Sequence, residues 1–235
     1  FYKMSYRITG TGSCIPDIAK KNSDFLKSKF LDTDGIKFQS SNSEIINKFN
    51  SITGIYERRY APDEINCSDL AAVAAGLAIN DSKLDQETLD YIIVAHNTGD
   101  ISCSSGQVDT LPSVASKVKA KLKIKNPNCV AYDIICGCPG WVEGIIQAKS
   151  FIKYGMAEKC LVIGCDTLSR ILDENDRDSM IYADGSGAIV LESDSSYDGG
   201  ILSHKSATFT YDGETDFIFY GTSYDTRKRT KSCLL

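Results

Sequence analysis

Apolar residues along the chain follow two rhythms. Short unbroken runs occur at 91–95, 130–134, 160–164 and 188–191. Runs of that length predict strands buried on both faces. Residues 5–10 predict a first strand. Elsewhere apolar positions recur at helical spacing. Ser68 is placed to cap a helix running to about residue 80, with Leu70, Val73, Ala74 and Leu77 on its inner face. Pro112 is placed to open a helix at its first turn, where a missing N–H costs nothing, with Val114, Val118 and Leu122 as its stripe. Residues 139–154 predict a third helix, turning Trp141, Ile145, Ala148 and Ile152 inward, and 43–49 a short amphipathic one. The stretch 13–39, broken by Pro16 and Gly35, predicts irregular chain. Buried strands alternating with helices imply an α/β fold: a central, mostly parallel sheet with helices on both faces. Past about Asp194 the pattern degrades into polar, turn-rich sequence ending in a basic stretch at 227–231.

Composition removes several function classes. The chain has 235 residues, 42% hydrophobic and 24% charged, with a net charge of −5. An acidic balance argues against a nucleic-acid binder. No apolar run approaches the roughly 20 residues that span a bilayer, and the start shows no signal-peptide pattern. Met4 reads as an initiator with residues 1–3 added ahead of it. The nine cysteines are odd in number and contain no C-x-x-C pair, and there are only two histidines, His96 and His204. A disulfide framework, a structural zinc site and a thiol oxidoreductase are therefore poor fits, and no metal is expected. Most of these thiols read as small buried residues in the reducing cytoplasm.

The stretch from Ala131 to Trp141 carries the strongest chemical signal. A buried strand ends, a glycine turn follows, and a helix begins at Pro139, which sets Cys138 at a helix N-terminus. The partial positive charge there favours an anion, and the thiolate is the nucleophilic form of cysteine. Such a turn also presents the sulfur at the carboxyl end of the sheet, where open α/β sheets bind ligands. From geometry alone, a small buried residue at a crowded strand–helix junction is the favoured reading and a nucleophile the alternative. Cys136 reads as packing.

Asp133, then Cys138 five residues later, then Gly140 and the aromatic Trp141 resemble the nucleophile motif of the β-ketoacyl-acyl-carrier-protein synthase III family. Four further segments agree in order: Thr53-Gly54-Ile55-Tyr56-Glu57-Arg58, Leu111-Pro112-Ser113-Val114-Ala115, Val162-Ile163-Gly164-Cys165-Asp166-Thr167-Leu168-Ser169-Arg170, and Asp184-Gly185-Ser186-Gly187-Ala188. The resemblance implies a thiolase-like, layered α-β-α-β-α fold, with 1–194 as the N-terminal half and 195–235 as the start of a second. It implies decarboxylative condensation of an acyl thioester with malonyl-acyl carrier protein, through an acyl group on Cys138. It also implies Arg177, Leu111 and Leu168 as substrate-binding residues, acyl carrier protein and acyl-coenzyme A as partners, a homodimer, and no cofactor beyond the thioester substrates. The Asp184–Gly187 turn, with glycines free to take φ > 0, reads as structural.

Two departures from the family pattern stand out. The family's tryptophan and arginine ahead of Thr-Gly-Ile are replaced by Lys48 and Ile52, which weakens adenine stacking and favours a carrier-bound donor. Its histidine and asparagine motifs are absent, and neither His96 nor His204 lies in one; both read as loop-proximal. A fragment of a longer protein is the simplest expectation. A non-condensing acyltransferase or thioesterase, and a catalytically silent subunit, are the alternatives.

Overall fold

The computed structural model describes residues 5–225 and 232–235, so the basic stretch at 227–231 lies outside the described residues. In chain order the elements are β1 (Tyr6–Cys14), β2 (Ile18–Lys21), α1 (Asn42–Thr53), β3 (Glu57–Tyr60), α2 (Cys67–Ser82), β4 (Tyr91–His96), β5 (Asp100–Ile101) and β6 (Val108–Asp109). They continue with α3 (Val114–Lys121), β7 (Val130–Ile135), α4 (Gly140–Lys153), β8 (Lys159–Thr167), β9 (Asp184–Ser193), β10 (Tyr220–Thr222) and β11 (Ser232–Leu234). The chain divides into two compact units. One comprises residues 5–15, Ala61–Thr167 and Gly185–Lys205; the other comprises Pro16–Tyr60, Leu168–Asp184, 206–225 and 232–235.

The first unit is built on a five-stranded sheet of order β1-β9-β8-β4-β7. β4 lies parallel to both β7 and β8, whereas β1 and β9 are antiparallel. The period of two along each strand divides the core cleanly. Ile92, Val94, Leu161, Ile163 and Val190 face α2 and α3. Their neighbours Ile93, Cys160, Val162, Ile189 and Leu191 face α4, through Ile145, Ala148 and Ile152. Helices therefore cover both faces, as the alternating pattern predicts.

Several expectations need correction. Val73 and Leu77 are 52% and 47% exposed, and α2 instead buries Leu70, Ala71, Ala74, Ala75 and Ala78. The reason is close approach to β1. A Cβ at Gly10 would land on the Ala78 carbonyl oxygen, and one at Gly12 on that of Ala74. Only a face of small residues packs against a strand that near, so the alanines turn inward and the larger side chains turn away. Ser68 is not the cap either. Asn66 precedes the first turn and its N–H donates to Asp69 at 2.8 Å, while Ser68 donates its N–H and hydroxyl to Asp100. Pro112 lies ahead of α3, whose cap is Ser113, accepting from the Ser116 N–H. β7 is an edge strand of half-buried residues with Val130 and Ile135 exposed, rather than a strand covered on both faces. Gly185 and Gly187 lie within β9, with Gly187 paired to Ser13 of β1, and do not form a turn.

In the second unit, the stretch predicted to be irregular contains β2, which pairs antiparallel with β3. Phe25, Phe30, Ile45, Ile46, Phe49 and Met180 form its core. Arg58 lies within that core. Its guanidinium donates to the Met180 and Lys20 carbonyls and to Asn22, and it sits 5.1 Å from the Phe25 ring centre. The tail carries the short β10–β11 ribbon, which the loss of periodicity after residue 194 did not foreshadow.

Gly10→Ala tests the helix–strand approach. The obstructing atoms include backbone of α2, so relief requires the helix to move, at a cost of about 1–3 kcal/mol or more. Urea unfolding should show that loss, whereas Gly54→Ala, which meets no atom within 4 Å but carries a left-handed φ of +70°, should lose only about 1 kcal/mol.

Candidate active site

The site is assembled at the carboxyl ends of three parallel strands. β4, the middle one, ends in His96 and is followed by Asn97. These two consecutive residues tie it to both neighbours. His96 Nε2 lies 3.0 Å from Asp133 on β7. Asn97 donates its backbone N–H and its side-chain amide to Asp166 on β8, at 2.9 and 2.6 Å.

The tautomer of His96 follows from its other partner. The Gly99 N–H donates to Nδ1 at 2.9 Å, so Nδ1 carries no proton. The proton resides on Nε2 and points at Asp133. The ring is buried between a donor and an acceptor. His96, read from the sequence as loop-proximal, is the buried last residue of β4 and bridges Asp133 and the Gly99 amide. His204 is exposed in irregular chain.

Asp133 gathers more than the histidine. Its carboxylate also accepts the Val114 and Ala115 N–H groups at 2.7 and 2.8 Å, at the start of α3. Burial pushes its carboxyl up. The His96 hydrogen bond and the two amides outweigh burial and hold it below its ordinary value. One carboxylate thereby joins β7, β4 and α3.

Beyond Asp133 the chain leaves β7 and turns. Gly137 takes φ +61°, a left-handed conformation suited to glycine, and its carbonyl accepts the Gly140 N–H at 3.0 Å. Pro139 then caps α4. Cys138 sits in this turn, directly ahead of the cap, and it is exposed. Cys136 is exposed as well, not packed as the sequence suggested. Two thiols are thus presented in one turn, with Cys138 the nearer to the helix N-terminus. Leu111 belongs to the same unit, 85% exposed, between β6 and α3.

Arg177 and Leu168 belong to the second unit. Leu168 is buried at the first residue of a short 3-10 turn, and Arg177 opens another. Beside Arg177 lies a cavity of about 430 Å³, lined in part by Phe38, Lys48, Phe49, Ile52 and Arg177. Lys48 and Ile52, the two departures from the family pattern, both face it. The Arg177 guanidinium lies 4.8 Å from the Phe38 ring centre. Phe38 supplies an aromatic surface that sequence reading missed, because it falls in a stretch without periodicity. Burial pushes the neighbouring Asp176 carboxyl up to about 6. Among the described residues no cluster of histidine, cysteine, aspartate or glutamate could hold a metal ion.

The family model for 3-oxoacyl-[acyl-carrier-protein] synthase III matches residues 132–209, a span that begins one residue before Asp133 and includes Cys138. The chain is 35% identical over 226 residues to the β-ketoacyl-[acyl-carrier-protein] synthase III of Ehrlichia ruminantium, covering 94% of this chain and 62% of that protein. The chain is a relative of β-ketoacyl-[acyl-carrier-protein] synthase III. The crystal structure of the Aquifex aeolicus synthase III superposes with a TM-score of 0.64 at 32% identity, over 80% of this chain and 54% of that one. The priming β-ketosynthase of the R1128 polyketide pathway matches 99% of this chain and 63% of its own, with a TM-score of 0.74 at 20% identity. The fold is therefore the thiolase-like one of these condensing enzymes. The chain spans less than two thirds of the length of these synthase III-type relatives.

Asp133→Asn tests the carboxylate's role. At pH 7 the loss of charge-assisted hydrogen bonds should cost about 2–4 kcal/mol in urea unfolding. A carboxyl held below its ordinary value of 3.8 contributes stability above that value and loses it as the pH falls through the lower folded one. The gap between wild type and variant should therefore close on acidification below the ordinary carboxylate range. A gap that is independent of pH would mean that the charge does not matter.

Proposed function

We propose that the full-length protein is a condensing acyltransferase of the synthase III type and that Cys138 is its nucleophile. The observation that carries this reading is the Cys138 turn itself: an exposed thiol at the N-terminus of α4, five residues after a carboxylate that fixes β7 against β4 and α3. In the first half-reaction the Cys138 sulfur attacks the carbonyl carbon of an acyl thioester, and the donor thiol leaves. The Cys138 backbone N–H is assigned a part in stabilising the oxyanion that forms. In the second, malonyl-acyl carrier protein loses carbon dioxide. The resulting enolate attacks the acyl-cysteine and releases a β-ketoacyl product. The groups that stabilise the enolate are assigned to the part of the protein beyond this chain.

The donor is an acyl-coenzyme A or an acyl carrier protein thioester, and the reading includes no other cofactor. Arg177 and Lys48 line the cavity of the second unit together with Glu44 and Asp178, and Phe38 offers an aromatic face under the Arg177 guanidinium; we assign this cavity to the coenzyme or carrier end of such a donor. Leu111 and Leu168 are assigned to acyl-chain contacts. A homodimer is supported by the open edge of β7, with Val130 and Ile135 exposed along it. The protein is placed in the cytoplasm, where its thiols stay reduced, in the initiation of fatty-acid synthesis.

Intact-mass measurement on the full-length protein tests the nucleophile. Incubation with an acyl-coenzyme A should add one acyl group, lost in Cys138→Ala and kept in Cys136→Ala. An adduct that persists in Cys138→Ala would move the chemistry to another thiol. No adduct from either a coenzyme A or a carrier-protein donor would favour a silent subunit.

A further inference from the structure

Two thiols outside the candidate site lie in direct contact. Cys67 is the first residue of α2, and Cys165 lies near the carboxyl end of β8. Their sulfur atoms are 2.9 Å apart, and both side chains are buried in the layer between α2 and the sheet. A disulfide bond is about 2.05 Å long. Bonding thus requires the two sulfurs to close by about 0.9 Å. The hydrogen bond to Cys165, together with burial, pushes the Cys67 thiol well up, so it stays protonated at rest. Burial also shuts out bulky disulfide reagents. A small neutral oxidant is the reagent that fits.

The geometry points to Cys67 and Cys165 as a peroxide-responsive pair that closes to an intramolecular disulfide. On losing its proton, one sulfur attacks the O–O bond of hydrogen peroxide as the thiolate and becomes a sulfenic acid, and the departing hydroxide takes up that proton to leave as water. The partner sulfur then attacks the sulfenic sulfur. The S–S bond forms and a second water departs. The two thiols give up two electrons and two protons, and both oxygens of the peroxide end in water.

The position gives the bond a consequence. It would fasten the first turn of α2 to β8 across a separation of 98 residues. Each cysteine adjoins a residue that already braces the unit: Ser68 is bonded to Asp100, and Asp166 holds Asn97. A crosslink closing so long a loop restricts the unfolded chain strongly. The oxidised protein should melt roughly 5–15 °C higher than the reduced one.

Cys103, Cys136 and Cys138 are exposed and would compete for oxidant, so the test uses the full-length protein with all three replaced by serine. It is treated with hydrogen peroxide, quenched, alkylated in denaturant and digested with trypsin. The expected product joins peptides 60–83 and 160–170 at a loss of 2 Da, with fragmentation placing the bond on Cys165 rather than Cys160. The rise in melting temperature should accompany it, reverse with dithiothreitol, and be absent from Cys67→Ala and, separately, from Cys165→Ala. Recovery of Cys67 and Cys165 as alkylated thiols after peroxide, or a bond joining other cysteines, would overturn the proposal.

Discussion

The Asp133 carboxylate is the constraint on which the candidate site depends. It accepts from a ring nitrogen on β4 and from two amides at the start of α3, while its own backbone belongs to β7. Parallel strands need no particular side chain to pair, so the ladder alone does not decide how their carboxyl ends are finished. Here two consecutive residues of the middle strand finish them. His96 is tied to an aspartate on one neighbour and Asn97 to an aspartate on the other. With those ends held, the turn through Gly137 has a fixed point of departure, and Cys138 is delivered to the start of α4. A buried network of this kind stabilises only if every member is satisfied. The Gly99 N–H completes it by fixing the histidine as a donor towards Asp133.

Much of the first unit could be read in the chain. Runs such as Ile92-Ile93-Val94 are apolar at every position because helices cover both faces of the sheet, and burial of that kind is written into local composition. The position of Cys138 was legible for the same reason: strand, glycine and helix start are all local signals. The inner face of α2 was not. Val73 and Leu77 are bulky and apolar yet turn outward, while Ala74 and Ala78 face β1, because Gly10 and Gly12 on a strand distant in sequence bring the helix backbone too close there for larger side chains. β2 was hidden too. Its sequence, Ile-Ala-Lys-Lys, shows no strand pattern, and it exists by pairing with β3, far along the chain. His96 gave no sign of its role until the register of β4 against β7 was known.

The second unit divides the same way. Arg177 was legible through a motif, whereas Phe38 lies in a stretch without periodicity and becomes visible only as the ring beneath that guanidinium. The replacement of the family's tryptophan by Lys48 therefore does not leave the cavity without an aromatic surface. It leaves one of a different kind, with a cation already stacked upon it.

The site's geometry rests on His96 donating from Nε2 to Asp133, and nitrogen NMR of the imidazole rings tests that contact most directly. His204→Gln leaves a single ring to assign. With the ring neutral, the account predicts a pyrrole-type Nε2 bearing the proton and a pyridine-type Nδ1 accepting from Gly99. The opposite tautomer, with the proton on Nδ1, would contradict it, because the Gly99 amide would then face a donor and Asp133 would lose its donor on β4.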